Sequence, residues 1–267
     1  MGRLGNMATT QSLAVDLHDV RKVPIDAAWR WLAAGSRDIW KAPHVSLAYG
    51  ALFTLTSIVL IAALYFSGAL SVALPLAGGF LLLGPMAAIG LYETSRRLEE
   101  GKPVTLGSML TFRTRSLGQL AFMGVFLLII YLVWVEIAFL LFMLFLGPQS
   151  LQLENIIPIL LFTPQGLGLL IVGSIAGAVL ALLVFAITVV SIPLLMRREV
   201  DVVTAALTSV RAVALNPAAM LLWGALIGAM MAFAFATLFI GMVVIFPLIG
   251  HATWHAYRSL VVPLDRS

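Results

Sequence analysis

Residues 217–257 read PAAMLLWGALIGAMMAFAFATLFIGMVVIFPLIGHATWHAY, with no Asp, Glu, Lys or Arg among them. A helix crosses a bilayer with about 20 apolar residues, because each rises about 1.5 Å across a hydrocarbon core of about 30 Å. This stretch is about twice that length, so it predicts two crossings, 217–239 and 241–258, joined by a tight turn near Phe239 to Met242. Gly241 is the one turn-forming residue there. One long helix instead would place Arg258 and Arg266 on the far side of the membrane from every other cation, against the rule that Lys and Arg stay inside.

Outward from this stretch the same pattern repeats. Further apolar runs lie at about 45–66, 69–92, 117–146 and 166–196, giving an all-α membrane protein with six transmembrane helices in a single domain over 23–260. Residues 1–22 read as a disordered cytoplasmic tail and 261–267 as a C-terminal tail, with no cleavable signal peptide at the start. All sixteen Lys and Arg fall in four groups: 3–41, 96–115, 197–211 and 258–266. The three alternate connections (67–70, 147–165 and the last turn) hold none. The expectation is a multi-pass protein of the bacterial inner membrane with both termini cytoplasmic.

Composition sets the solvent. The chain is 61% hydrophobic and 10% charged, with a mean hydropathy of +1.06, so its partner is the lipid bilayer. The net charge of +4 belongs to loops rather than to a nucleic-acid surface. With no cysteine, disulfides, thiolate metal sites and cysteine nucleophiles are excluded. No Walker loop, dinucleotide fingerprint, nucleophile elbow or His-Glu-x-x-His is present.

The helices read as three pairs, each preceded by an amphipathic helix on the cytoplasmic side. Ile25, Ala28, Trp29, Leu32, Ala33, Ile39 and Trp40 share one helical face in the first, and Val203, Ala206, Leu207, Val210 and Ala214 in the third; residues 103–117 match less well. Trp29, Trp31, Trp40 and Trp254 are expected as interface anchors, since indole is apolar with one donor. Arg37, Pro43 and Gly50-Ala51-Leu52 align with Arg211, Pro217 and Gly224-Ala225-Leu226 at one offset. The second helix of each pair carries a proline, Pro85, Pro193 and Pro247, where a kink is expected. Gly173 and Gly177, with Ser174, Ala176 and Ala178 nearby, predict close helix packing.

Two places suggest chemistry. Glu136 is the one charged residue in the interior of a predicted span, Arg258 standing at the end of the last. It reads either as a proton or cation site or, favoured by its depth about 19 residues after Leu117, as a carboxylate reaching the outer interface. His251 and His255 stand four apart, on one helical face. Glu93 lies eight residues after Pro85, as His255 does after Pro247, so Glu93 joins the two histidines as a candidate divalent-metal or haem site. The bland alternative is that the histidines mark the membrane–water boundary, and no cofactor is required.

Three segments carry a resemblance: Trp40-Lys-Ala-Pro43-His44 leading into Tyr49-Gly50; Gly84-Pro85-Met86 with Gly90-Leu-Tyr92-Glu93 and Ser95-Arg96-Arg97; and Phe246-Pro247 through Gly250-His251-Ala-Thr-Trp254-His255-Ala-Tyr257-Arg258. Together they resemble the domain of unknown function 2189 family of bacterial integral membrane proteins, some labelled a cytochrome c oxidase subunit. That label implies about six histidine ligands on several helices; this chain has His18, His44, His251 and His255. The expected function is therefore non-enzymatic: an accessory, assembly or membrane-organising role, with a membrane protein complex as a candidate partner. The alternatives are a transporter or channel for a small solute or cation, and a haem- or metal-handling membrane protein.

Overall fold

The computed structural model describes residues 19–69, 72–110, 114, 116–147 and 153–262. These form twelve helices: α1 (Ala27–Lys41), α2 (Pro43–Phe66), α3 (Ala73–Ala87), α4 (Ile89–Glu99), α5 (Leu106–Leu110), α6 (Leu117–Leu146), α7 (Leu153–Phe162), α8 (Pro164–Thr188), α9 (Ser191–Arg197), α10 (Val202–Leu215), α11 (Pro217–Ala236) and α12 (Met242–Leu260). There is no strand among the described residues, only an antiparallel bridge between Val20 and Val261. Five helical stretches are long and apolar enough to cross a membrane: 43–66, 75–99, 117–146, 164–197 and 217–236. The spans expected at 45–66 and 117–146 fall on α2 and α6, while the one expected at 69–92 continues as helix to Glu99. The connection 147–165 contains α7, a helix that was not expected.

The 217–257 stretch is broken, and by an unusual turn. Residues 237–241 separate α11 from α12. Leu238 and Phe239 adopt φ of 51° and 67°, the left-handed region that costs a non-glycine residue about 1–2 kcal/mol. Hydrogen bonds hold the turn there. Thr54 Oγ1 donates to the Phe239 carbonyl at 3.1 Å, and Gly241 N donates to Thr237 Oγ1 at 3.0 Å. At the other end of α12, Arg21 N donates to the Leu260 carbonyl and Val262 N to the Asp19 carbonyl. Residues 19–22, the last part of the tail expected over 1–22, are thus bound to the end of α12, whereas 1–18, His18 included, lie outside the described residues.

Three junctions share one backbone shape. Ala42, before α2, has φ −136° and ψ 59°; Ser116, before α6, has φ −128° and ψ 54°; Asn216, before α11, has φ −130° and ψ 49°. Pro43 and Pro217 account for two of these, since proline disfavours the helical region for the residue before it and is itself preorganised for a first helical position. Packing follows the junctions. α1 packs on α12, α5 on α4, and α10 on α8 and α9. α2 packs on α12 and α6 on α3, but α11 and α8 have no comparable contact.

The prolines behave differently from one another. Pro193 follows the break at Val189–Val190, as expected when the ring clashes with the carbonyl four residues earlier. Pro85 precedes the break at Ala88, and α12 runs uninterrupted through Pro247. Of the expected interface anchors, Trp29 and Trp40 are exposed, while Trp31 and Trp254 are buried. Trp31 donates to Ser259 Oγ at 2.9 Å and stands edge-on to Trp223. Trp134 packs beside Gly78 and Gly177 and donates to the Pro75 carbonyl at 2.8 Å, so the close packing expected at Gly177 is made by an indole. Nothing stands near a Cβ built at Gly173.

Candidate functional site

The buried stripe of α1 runs Ala27, Ala28, Trp31, Gly35, Asp38 and Ile39. Asp38 therefore sits on the apolar face and is carried into the protein, where it is 4% exposed. A buried carboxylate needs partners, and α4 and α12 supply them. Asp38 Oδ2 accepts from Ser95 Oγ at 2.8 Å and lies 2.8 Å from His255 Nε2. Ser95 Oγ is also 2.7 Å from His251 Nδ1, and His251 Nε2 is 3.0 Å from Ser46 Oγ on α2.

Proton counting fixes the direction of this chain. The ionised Asp38 can only accept, so Ser95 spends its one proton there. Ser95 Oγ must then accept from His251 Nδ1–H. In a neutral imidazole the other nitrogen is an acceptor, so Ser46 donates to His251 Nε2. This tautomer is assigned from the network. The result is one directed chain, Ser46 to His251 to Ser95 to Asp38, with His255 donating to Asp38 from the other side. Burial works against the charge on Asp38. The hydrogen bonds that His255 and Ser95 donate to it outweigh this, holding the carboxyl below its ordinary value.

Glu93 stands outside this chain. Its carboxylate, 1% exposed, accepts from Arg96 Nε at 2.7 Å, Arg96 Nη2 at 2.6 Å and Arg97 Nε at 2.7 Å. The sequence thus brings His251 and His255 to one network and leaves Glu93 in a neighbouring one on the same helix as Ser95. Among the described residues, no group of three or more His, Cys, Asp and Glu is placed to hold a metal ion.

Further pairs tie α4 to its neighbours. Glu100 accepts from Arg197 of α9 at 2.6 Å, from Arg96 at 2.8 Å and from Lys102 at 2.7 Å. Partial burial raises its pKa and these cations lower it, leaving it at about 2. Glu99 accepts from Arg258 of α12 at 2.8 Å and from Trp254 Nε1 at 3.3 Å. Basic residues from three of the sequence groups thus meet at one end of the helical body. Arg113 and Arg115 lie outside the described residues.

Glu136 is exposed on α6 and lines neither of two cavities found between the helices. The larger cavity, of about 450 Å³, lies between α3, α4, α8, α11 and α12 and is walled mostly by apolar side chains.

Sequence reasoning missed Asp38, Ser95 and Ser46. For Asp38 the signal was present: an acid at the 3–4 spacing of Ala28, Trp31 and Gly35 falls on the buried face. The two serines carried no such mark.

Residues 73–197 match the sequence pattern of DUF2189, a family described as predicted integral membrane protein. The resemblance to that family holds over this segment, which contains Gly84-Pro85-Met86 and Gly90 to Arg97. The segments around Trp40 and Phe246–Arg258 lie outside it. No curated protein and no solved structure matches the chain.

Proposed function

We propose that this chain is a non-enzymatic protein of the bacterial inner membrane that organises its surroundings, lipid or a membrane complex, through a body of six crossings in three related units. The units are α1–α4, α5–α9 and α10–α12. The shared junction geometry and the cyclic packing of each short helix on the preceding unit support them, as membrane folds often arise from repeats. α12 is the sixth crossing. In this reading it returns from the 237–241 turn to the end where Val261 pairs with Val20, with both ends of the described chain on one side. The clustered Lys and Arg support that side as the cytoplasmic one.

One observation carries the non-enzymatic reading. The Ser46–His251–Ser95–Asp38 chain and the Glu93 cluster are taken up by their own contacts in the interior. Ser46, Ser95, His251 and Glu93 are each at most 1% exposed, and none of them lines the larger cavity. A catalytic group must reach its substrate, and these do not line a space that would admit one. The transport alternative has less support, because Glu136 faces outward and a solute path needs polar groups lining it. The test is flux in proteoliposomes of the purified chain. Proton and monovalent-cation leakage equal to that of empty vesicles is expected; a flux that disappears in Glu136→Ala would overturn the reading.

A further inference from the structure

The larger cavity lies where α11 fails to close on α8. At the corresponding place in the first unit, a Cβ added to Gly50 would run into the Val243 backbone, so α2 and α12 touch there. A Cβ added to Gly224, its counterpart on α11, would come no nearer than 3.9 Å to Phe185 of α8. Gly84 and Gly228 also line the cavity and have nothing within 4 Å of an added Cβ. At about 450 Å³ the space falls within the range of about 300–1,000 Å³ common to small-molecule sites.

Its wall is not uniformly apolar. Tyr92 and Thr253, 3% and 5% exposed, both line it. Neither hydroxyl has a hydrogen-bond partner among the described residues. Both residues are nearly buried, yet neither hydroxyl oxygen is itself fully enclosed, so each can donate to an acceptor that enters the space. Their depth says which kind. Tyr92 stands four residues before Arg96 and Thr253 five before Arg258, so both lie about 6–8 Å further into the membrane than those cations. The polar layer on each side of a bilayer is about 5–7 Å thick. The hydroxyls therefore sit where ester carbonyls of lipids lie, with hydrocarbon depth beyond them. No ionised side chain lines the cavity, so the acceptor is neutral.

We propose that this cavity holds an acyl chain of an ester-linked membrane phospholipid, its ester carbonyl accepting hydrogen bonds from Tyr92 and Thr253. This deepens the membrane-organising reading by naming the lipid class and rests on it. Absence of the lipid with vesicles still tight would remove only this inference.

The test uses the full chain in nanodiscs of phosphatidylethanolamine, extracted into mild detergent and weighed by native mass spectrometry. Retention of one phospholipid is expected. Gly84→Leu and Gly228→Leu fill the space without a clash at Cβ and should lower the retained fraction at least about tenfold with thermal stability kept. Gly173→Leu, outside the cavity, should change nothing. An ether-linked analogue with the same headgroup should be retained less than the ester lipid, and Tyr92→Phe with Thr253→Val should erase that preference. Retention unchanged by both glycine substitutions would overturn the site. Equal retention of ester and ether lipids by the unaltered chain would overturn the carbonyl assignment. A retained molecule of another class would overturn the choice of ligand.

Discussion

The α2–α12 contact and the α8–α11 gap are counterparts under the three-unit scheme, yet one is sealed and the other open. At the first, Gly50 lets backbone meet backbone, and Asp38, Ser95, His251 and Ser46 join α1, α4, α12 and α2 in one hydrogen-bonded chain. At the second, a Cβ on Gly224 would come no nearer than 3.9 Å to Phe185, and Tyr92 and Thr253 nearby have no side-chain hydrogen-bond partner among the described residues. In lipid, apolar surface supplies little drive for helices to associate, because lipid tails are as apolar as leucine. Close packing and internal hydrogen bonds are what seal a junction. The difference teaches that a small residue permits contact without enforcing it.

The largest expected effect comes from cutting the polar chain. Asp38→Ala leaves Ser95 and His255 without their buried acceptor and should cost about 3–5 kcal/mol, read as a large fall in thermal stability in detergent. Stability within ~0.5 kcal/mol of the unaltered chain would mean the chain does not seal the junction. The matched glycines come next. Gly50→Leu should destabilise by about 1–3 kcal/mol through overpacking. Gly224→Leu should be neutral or slightly stabilising, since leucine exceeds glycine in helix propensity by up to about 1 kcal/mol. Equal losses at the two positions would erase the contrast.

Acid should give the smallest of the three effects. The Asp38 carboxyl is held below its ordinary value in the folded protein. Its contribution is complete above the unfolded value of about 3.9 and is lost as pH falls through the lower folded value. Melting followed from pH 6 down to 3 should show this decline, and Asp38→Asn should flatten that part of the profile.

How much of this was legible in the sequence depends on the force involved. The span positions and the one-sided cations follow from hydropathy and charge, which act locally, so α2 and α6 were read to within two residues. The α11–α12 turn was placed near its observed position but lacked a signature, because Leu238 and Phe239 adopt the left-handed region without help from glycine and are held by Thr54 and Thr237. The candidate site was half legible. The spacing of His251 and His255 marks one face of a helix, but their acid is Asp38, 217 residues away from His255. Repeat position suggested Glu93 instead, and that carboxylate is occupied by Arg96 and Arg97, three and four residues along its own helix. Trp31 and Trp254 were read as boundary aromatics. A tryptophan that finds a partner for its N–H, as these do in Ser259 and Glu99, can be buried.

The scheme of six crossings rests on α12 returning the chain to its starting side. The chain has no native cysteine, so single cysteines report cleanly. Ile240→Cys lies at an exposed position of the 237–241 turn, and Val262→Cys lies beside the Asp19 carbonyl. Intact cells expressing each variant would be treated with a membrane-impermeant maleimide once the outer envelope is opened. Six crossings predict that Ile240→Cys is labelled at once and Val262→Cys only after the inner membrane is permeabilised. Labelling of both positions from the same side would contradict it.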